Sequence, residues 1–191
     1  MGPFAEQLAA ALRSRVPVPA ARGSDVREAA VAVLVRQLDE PEILFIKRAE
    51  RLGDPWSGQI AFPGGRQHPN DKDLADTARR ETHEEIGLDP DAHGQRLGAL
   101  DEVEPGTRRL PPLIIAPFVW SVPADVQLAP SPLEVQAAIW VGLGALRAPE
   151  NVLSFDYGSR TFPALQLGPY VLWGLTYRIV ESLLVAAPRV G

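Results

Sequence analysis

Apolar and polar positions along the chain follow patterns that predict a mixed β-sheet sandwiched between helices, an α+β fold. Residues 4–14 carry apolar side chains at helical spacing and precede two prolines, which predicts a short amphipathic helix. The valine-rich run at 29–35 is typical of a strand buried on both faces, and residues 42–47 predict its antiparallel neighbour. Pro117 indicates that its own strand lies at a sheet edge or carries a bulge. The other predicted strands are residues 59–62, 97–102, 113–122, 136–141, 152–155 and 161–167.

Two longer helices are predicted beyond the first strands. One begins after Asp71 or Asp73, either of which can cap it, and ends at Ile86, where Gly87 favours a left-handed terminating residue. The other is a closing helix, predicted by an apolar stripe at 172–183. The side chains expected on the core face of the first of these helices are Ala75, Ala78, Thr82 and Ile86.

Length and composition narrow the class of protein. A chain of 191 residues holds one sizeable core, so we expect a single domain over residues 29–191, after an N-terminal helix and lead-in segment over residues 1–28. The absence of cysteine excludes disulfides and thiolate metal sites, and a net charge of −5 disfavours a nucleic-acid polymer as partner. No run reaches the ~18 apolar residues needed to cross a bilayer. We therefore expect a cytoplasmic monomer or homodimer without a membrane partner.

The C-terminal half of the helix at 74–86 carries charges that a helix end disfavours. Glu81, Glu84 and Glu85 oppose the helix dipole, which forgoes roughly 0.3–1 kcal/mol for each carboxylate. At 100° per residue the three carboxylates fall on one face, within roughly 100° of one another. Two adjacent glutamates alone would also suit an ordinary solvated face. Three carboxylates together favour a site for a hard divalent cation.

Residues 65–88 resemble the Nudix box of the Nudix hydrolases. Gly65 takes the position of the first glycine, Asp71 that of the first acid, and RETHEEIGL at 80–88 matches the remainder. Asp71 stands where the box usually has Glu, Thr82 stands at an apolar position, and the spacer between Asp71 and Arg80 is one residue longer than in the common form. The resemblance implies a Nudix-like arrangement of the sheet and helices.

The longer spacer, together with GQIAFPGG at residues 58–65, resembles the coenzyme A pyrophosphatase branch. Gly53 occupies a loop position where that branch usually has an Arg, and Gly58 comes one residue late. The resemblance implies a metal-dependent pyrophosphohydrolase that cleaves a nucleoside diphosphate linked to another moiety, with coenzyme A or a derivative as the favoured substrate. The alternative substrates are nucleoside triphosphates, dinucleotides or ADP-ribose. A catalytically silent nucleotide-binding regulator is the alternative from another class, which the retained helix carboxylates disfavour.

Cleavage of a pyrophosphate requires neutralisation of the charge on its oxygens, which Mg²⁺ provides while it orients water; Mn²⁺ is a possible replacement. We expect Glu81 and Glu85 to ligate the metal and Glu84 to act as a shared ligand or as the base that activates water. The resemblance implies the Gly64 carbonyl as a further ligand. Arg80 is expected to orient the neighbouring carboxylates through paired hydrogen bonds.

The resemblance also implies one more acid from a distant loop. Glu134 is the first candidate for this catalytic role, ahead of Glu102 and Glu104. Arg48 is a candidate contact to phosphate, and Trp56 is expected either to stack on a base or to cap the core. The candidate substrate contacts are therefore Arg48, Trp56 and Gly65.

Overall fold

The computed structural model describes residues 2–22, 26–105 and 112–188, so part of the expected lead-in, residues 1 and 23–25, lies outside the described residues. The helices are α1 (Pro3–Arg13), α2 (Leu74–Ile86), α3 (Pro90–His93), α4 (Leu143–Arg147) and α5 (Gly174–Ala186). The first five strands are β1 (Arg27–Gln37), β2 (Pro41–Arg48), β3 (Ile60–Ala61), β4 (Gly64–Arg66) and β5 (Gln95–Ala99). The others are β6 (Leu113–Val122), β7 (Val135–Gly142), β8 (Val152–Tyr157), β9 (Arg160–Leu167) and β10 (Tyr170–Trp173).

The larger sheet is mixed, as predicted. Its strands run in the order β3-β2-β1-β6-β5, while β4 pairs with β1 and β7 pairs with β2. Strands β1 and β6 are parallel, whereas β1 and β2 are antiparallel with Val35 opposite Ile43. A smaller antiparallel sheet has the order β10-β9-β8. The structure is therefore an α+β fold whose second sheet stands beside the first.

Apolar layers cover both faces of the larger sheet. On one face α1 and α5 pack with side chains such as Leu8, Phe45 and Leu183, so the N-terminal helix belongs to the main core. On the other face α2 packs with Leu34 and Trp120. Strand β1 lies inside the sheet, and its side chains enter both apolar layers. Its valine-rich sequence is explained by burial on both faces.

Helix α2 starts and ends as the sequence predicts. Asp73 is its N-cap, and its carboxylate accepts a hydrogen bond from the Asp76 N–H at 2.8 Å. Gly87 ends it in the left-handed conformation, with φ of 70°. The four side chains predicted for its core face are buried. The buried face sets the rotation of the helix and therefore the direction in which its carboxylates project.

The predicted effect of Pro117 is wrong in one respect. Strand β6 lies between β1 and β5 and is therefore not at an edge. Pro117 has no N–H to donate, but its carbonyl accepts a hydrogen bond from the Leu100 N–H at 2.9 Å. The irregularity lies in the neighbouring strand, where the register shifts between Arg96 and Gly98. Leu172, predicted in the closing helix, belongs to β10, and α5 begins only at Gly174. No helix within the described residues is long and apolar enough to cross a membrane.

Candidate active site

Glu85 is the most deeply buried acid of α2. Its side chain is 5% exposed, and Oε2 accepts a hydrogen bond from the Gly64 N–H at 2.9 Å. The nearest cationic group is Arg48, whose Nη1 lies 3.8 Å from Oε1. Burial raises the pKa of Glu85 to about 8, and the charges of Glu81 and Glu134 add to this effect against the opposing Gly64 and Arg48. The site therefore holds a carboxylate with too little positive charge around it.

Glu81 lies one helical turn earlier, against Gly65 of strand β4. A Cβ on Gly65 would overlap the Glu81 carboxylate, and a Cβ on Gly64, whose φ is 154°, would overlap the backbone of β1. The absence of a Cβ therefore lets β4 approach β1 closely at Gly64 and leaves room for the Glu81 carboxylate at Gly65. Burial raises the pKa of Glu81, and the neighbouring charges of Glu84 and Glu134 act in the same direction.

The three helix carboxylates differ in exposure because of their positions around α2. Glu85, Glu81 and Glu84 lie about 60°, 100° and 160° around the helix from buried Thr82. Their side chains are 5%, 19% and 52% exposed in the same order. Glu85 and Glu81 therefore border the core, whereas Glu84 projects toward solvent.

Arg80 binds three carboxylates at once. Its Nε and Nη2 contact the two carboxylate oxygens of Asp71 at 2.8 and 3.0 Å, and Nη1 contacts Glu81 at 2.8 Å and Glu84 at 3.1 Å. This guanidinium holds the pKa of Asp71 well below its usual range. Thr77 Oγ1 also donates to Asp71, at 2.9 Å. The expected contacts of Arg80 with neighbouring carboxylates are thus present, and Asp71 anchors the guanidinium that makes them.

A cavity of about 970 Å³ brings most of the predicted residues together. The predicted site residues that line it are Arg48, Trp56, Gly64, Gly65, Glu81, Glu85 and Glu134. Arg80 and Glu84 do not line it. Glu102 is paired with Arg22 at 2.8 Å and is likewise outside the lining, as is Glu104. Among the three candidates for a remote acid, the structure therefore places Glu134 beside the helix carboxylates.

Two loops at this cavity are tied down by contacts that the sequence did not predict. Arg48 binds Asp54 at 3.0 Å, which connects the loop at 49–59 to the strand end next to Glu85. Arg51 donates to the Leu133 carbonyl at 2.7 Å and lies 3.5 Å from Glu134. These pairs depend on how distant loops meet, and no local spacing or periodicity indicates them.

The side chains that could ligate a metal in this cavity suit a hard divalent cation. They offer carboxylate oxygens, with no sulfur and no imidazole in the cavity lining, and oxygen donors favour Mg²⁺, Mn²⁺ or Ca²⁺. The raised pKa values of Glu81 and Glu85 indicate that a cation beside them would stabilise the ionised site. Within the described residues, no three acidic or histidine side chains already converge as a metal-binding group. Instead Arg80 holds Glu81 and Glu84.

Comparisons with known proteins agree with this architecture. The family model of the NUDIX domain matches residues 26–159. A mitochondrial coenzyme A diphosphatase of Mus musculus is 36% identical over 174 residues, which cover 85% of this chain and 80% of that protein. An uncharacterized protein of Schizosaccharomyces pombe is 39% identical over 113 residues, 58% of this chain but only 34% of that protein. The crystal structure of a MutT/nudix family protein from Enterococcus faecalis superposes with a TM-score of 0.57 at 16% identity, covering 95% of this chain and 73% of the other, which shows a shared fold.

Proposed function

This chain belongs to the Nudix hydrolase family, and we propose that it cleaves the diphosphate of coenzyme A or of a coenzyme A derivative. As a Nudix hydrolase it acts on a phosphoric anhydride bond, and this family uses divalent metal ions. The proposal adds the substrate, the metal and the residues that serve them.

One observation carries the assignment of the reaction centre. Glu85 and Glu81 are held against Gly64 and Gly65 of strand β4 inside a large cavity, and their pKa values are raised by burial. Folding buries charged groups only at a free-energy cost unless a counter-charge is supplied. A divalent cation meets that requirement and at the same time attracts the oxygens of a diphosphate.

Glu81 and Glu85 would hold the cation, with the Gly64 carbonyl as a further ligand and Glu84 as a shared ligand or as the base. A bound Mg²⁺, or Mn²⁺ in its place, supplies the positive charge that neutralises the oxygens of the diphosphate. Arg80 keeps Glu81 and Glu84 in place, since it is itself fixed by a paired contact to a buried acid.

Arg48 and Glu134 complete the proposed reaction centre from the loops. Arg48 lines the cavity next to Glu85, so its guanidinium N–H groups are proposed to donate to a phosphate oxygen. Glu134 lines the same cavity as Glu81 and Glu85 and is the proposed remote catalytic acid. Trp56 and Gly65, also in the lining, remain candidate substrate contacts.

Three observations support coenzyme A as the substrate. A relative named as a coenzyme A diphosphatase shares 36% identity over most of both chains. The GQIAFPGG run and the long spacer before Arg80 resemble the coenzyme A pyrophosphatase branch. The cavity, at about 970 Å³, lies near the upper end of the usual 300–1,000 Å³ range and is far larger than a diphosphate alone requires.

A product-resolved screen tests this proposal. The protein is incubated with coenzyme A, ADP-ribose, a dinucleotide and a nucleoside triphosphate, each with Mg²⁺ or Mn²⁺, and products are identified by mass spectrometry. We expect coenzyme A to give adenosine 3′,5′-bisphosphate and 4′-phosphopantetheine at the highest kcat/KM. A higher kcat/KM on another substrate would overturn the choice of coenzyme A, and no cleavage of any substrate would favour the nucleotide-binding regulator.

A further inference from the structure

Trp173 is the centre of an aromatic cluster on the smaller sheet. Its ring centroid lies 4.8 Å from that of Tyr157, 5.0 Å from Phe155 and 5.4 Å from Phe162. Phe155 and Tyr157 are two residues apart on β8 and so share one face of the sheet. Phe162 is directly opposite Phe155 on β9. The rings therefore form one continuous aromatic surface.

The outer end of this surface is left uncovered. Tyr157 is 54% exposed although its ring packs on Trp173, so much of the ring is open to solvent. Packing within the smaller sheet explains why Phe155 and Phe162 are aromatic. It does not require an aromatic side chain at Tyr157, which lies at the exposed end of the β8–β9 hairpin. Arg160 is directly opposite Tyr157, and its guanidinium lies 5.3 Å from the Phe162 ring centroid. A cationic group thus stands at the edge of the aromatic surface.

This surface shares a cavity with the reaction centre. The lining that includes Glu81 and Glu85 also includes Tyr157, Arg160 and Trp173. The carboxylates and the rings therefore face one cavity. The two regions differ in chemistry, since the first is acidic and suits a cation with a diphosphate, while the second is aromatic with an adjacent guanidinium.

We propose that Tyr157 and Trp173 form the stacking platform for the adenine base of the substrate, and that Arg160 binds the phosphate on the ribose 3′ position. The proposal deepens the proposed function and rests on it for the identity of the substrate. Aromatic rings stack on any base, and Arg adds recognition of a phosphate. The β8–β9 hairpin then selects the nucleotide half of the substrate, while the carboxylates and Arg48 act on the diphosphate.

Tyr157→Ala tests the platform without disturbing the reaction centre. We expect KM for coenzyme A to rise about tenfold, which corresponds to about 1.4 kcal/mol and lies in the range for a base on an aromatic side chain. The value of kcat should change less than about twofold, because the interaction is made equally in the ground state and the transition state. Tyr157→Phe should restore KM, since it keeps the ring. Val152→Ala is the matched control, because Val152 is 56% exposed on the same strand but lies outside the cavity lining.

A binding measurement separates the platform from catalysis. Adenosine 3′,5′-bisphosphate and 5′-AMP are titrated into the protein with EDTA present, and affinity is measured by calorimetry. We expect Tyr157→Ala to weaken both ligands about tenfold. Arg160→Ala should weaken only the bisphosphate, so that the preference for it over 5′-AMP falls about tenfold. 4′-Phosphopantetheine, which has no base, should bind both variants as it binds the wild type.

The possible results distinguish this proposal from the proposed function. Cleavage of coenzyme A with an unchanged KM in Tyr157→Ala, together with unchanged nucleotide affinity, would overturn the platform and leave the function standing. If Tyr157→Ala weakened the binding of 4′-phosphopantetheine and not that of the nucleotides, the platform would also be overturned, because the rings would then hold the other half of the substrate. If wild type does not cleave coenzyme A but binds adenosine 3′,5′-bisphosphate through Tyr157 and Arg160, the platform stands and the proposed substrate fails.

Discussion

Glu85→Gln removes one buried ionisable group from the metal-free protein and keeps the shape of the side chain. The amide oxygen can still accept the hydrogen bond that the Gly64 N–H donates to Glu85 at 2.9 Å. Burial raises the pKa of Glu85 from the ordinary 4.5 to about 8. The variant should therefore be more stable than wild type at alkaline pH in the absence of metal, although it should be inactive.

The sign follows from proton binding. Between pH 4.5 and about 8 the folded protein holds a proton on Glu85 that the unfolded chain has lost, so the free energy of unfolding falls as pH rises through this window. At about 1.4 kcal/mol per pKa unit, the difference between 4.5 and about 8 corresponds to an upper limit of about 5 kcal/mol. Local relaxation and entry of water reduce it, so we expect wild type to lose roughly 2–4 kcal/mol relative to Glu85→Gln between pH 5 and pH 9.

Urea unfolding with EDTA at pH 5, 7 and 9 measures this difference. Glu84→Gln is the matched control, because it makes the same replacement on the same helix at a side chain that is 52% exposed. Mg²⁺ added at pH 8 should stabilise wild type more than Glu85→Gln, since the variant loses one of the two proposed carboxylate ligands and keeps only Glu81. The kcat/KM of Glu85→Gln should fall by more than about 100-fold, as loss of an outer-shell partner in a metal site already costs 10–100-fold.

Two results would refute this reasoning. Parallel unfolding free energies of wild type and Glu85→Gln across pH 5 to 9 would mean that burial does not disfavour the charged carboxylate. Equal stabilisation of both proteins by Mg²⁺ would mean that Glu85 does not hold the cation.

Three further predictions follow from contacts around the site. Asp71→Asn should lower kcat about tenfold or more because the anchor of Arg80 loses its charge, and Asp71→Glu should recover part of that loss in steady-state kinetics. Glu134→Gln should lower kcat at least about tenfold, whereas Glu102→Gln should leave it unchanged because Glu102 lies outside the cavity; equal rates for both variants would contradict the assignment. Gly65→Ala should lower kcat/KM about 100-fold, because the added Cβ displaces the Glu81 carboxylate, while the melting temperature stays within a few degrees of the wild-type value.

The acidic helix shows how much of the site the sequence predicts. Residue chemistry predicts a cap at Asp71 or Asp73 and a terminator at Gly87, and the structure has Asp73 and Gly87 in these positions. The spacing of 100° per residue places Glu81 and Glu85 together at the cavity, whereas Glu84 does not line it. The same geometry gives the order of exposure once the core face is known. Local rules work here because a helix turns its side chains by a fixed angle.

The sequence predicts less where distant segments meet. Strand β10 was missed because four residues at 170–173 give too short a pattern, and Leu172 continued the apolar stripe of the following helix. The contact of Arg51 with Glu134 joins loops 83 residues apart, so no window of sequence contains it. The domain boundary at residue 29 and the cytoplasmic location stay predictions.

The most direct measurement is the rate at which wild type and Glu85→Gln form adenosine 3′,5′-bisphosphate from coenzyme A with Mg²⁺, followed by mass spectrometry. The account predicts rapid, metal-dependent formation of this product with equimolar 4′-phosphopantetheine by wild type, and a rate more than about 100-fold lower for Glu85→Gln. Near-normal product formation by Glu85→Gln, or none by wild type with either Mg²⁺ or Mn²⁺, would contradict it.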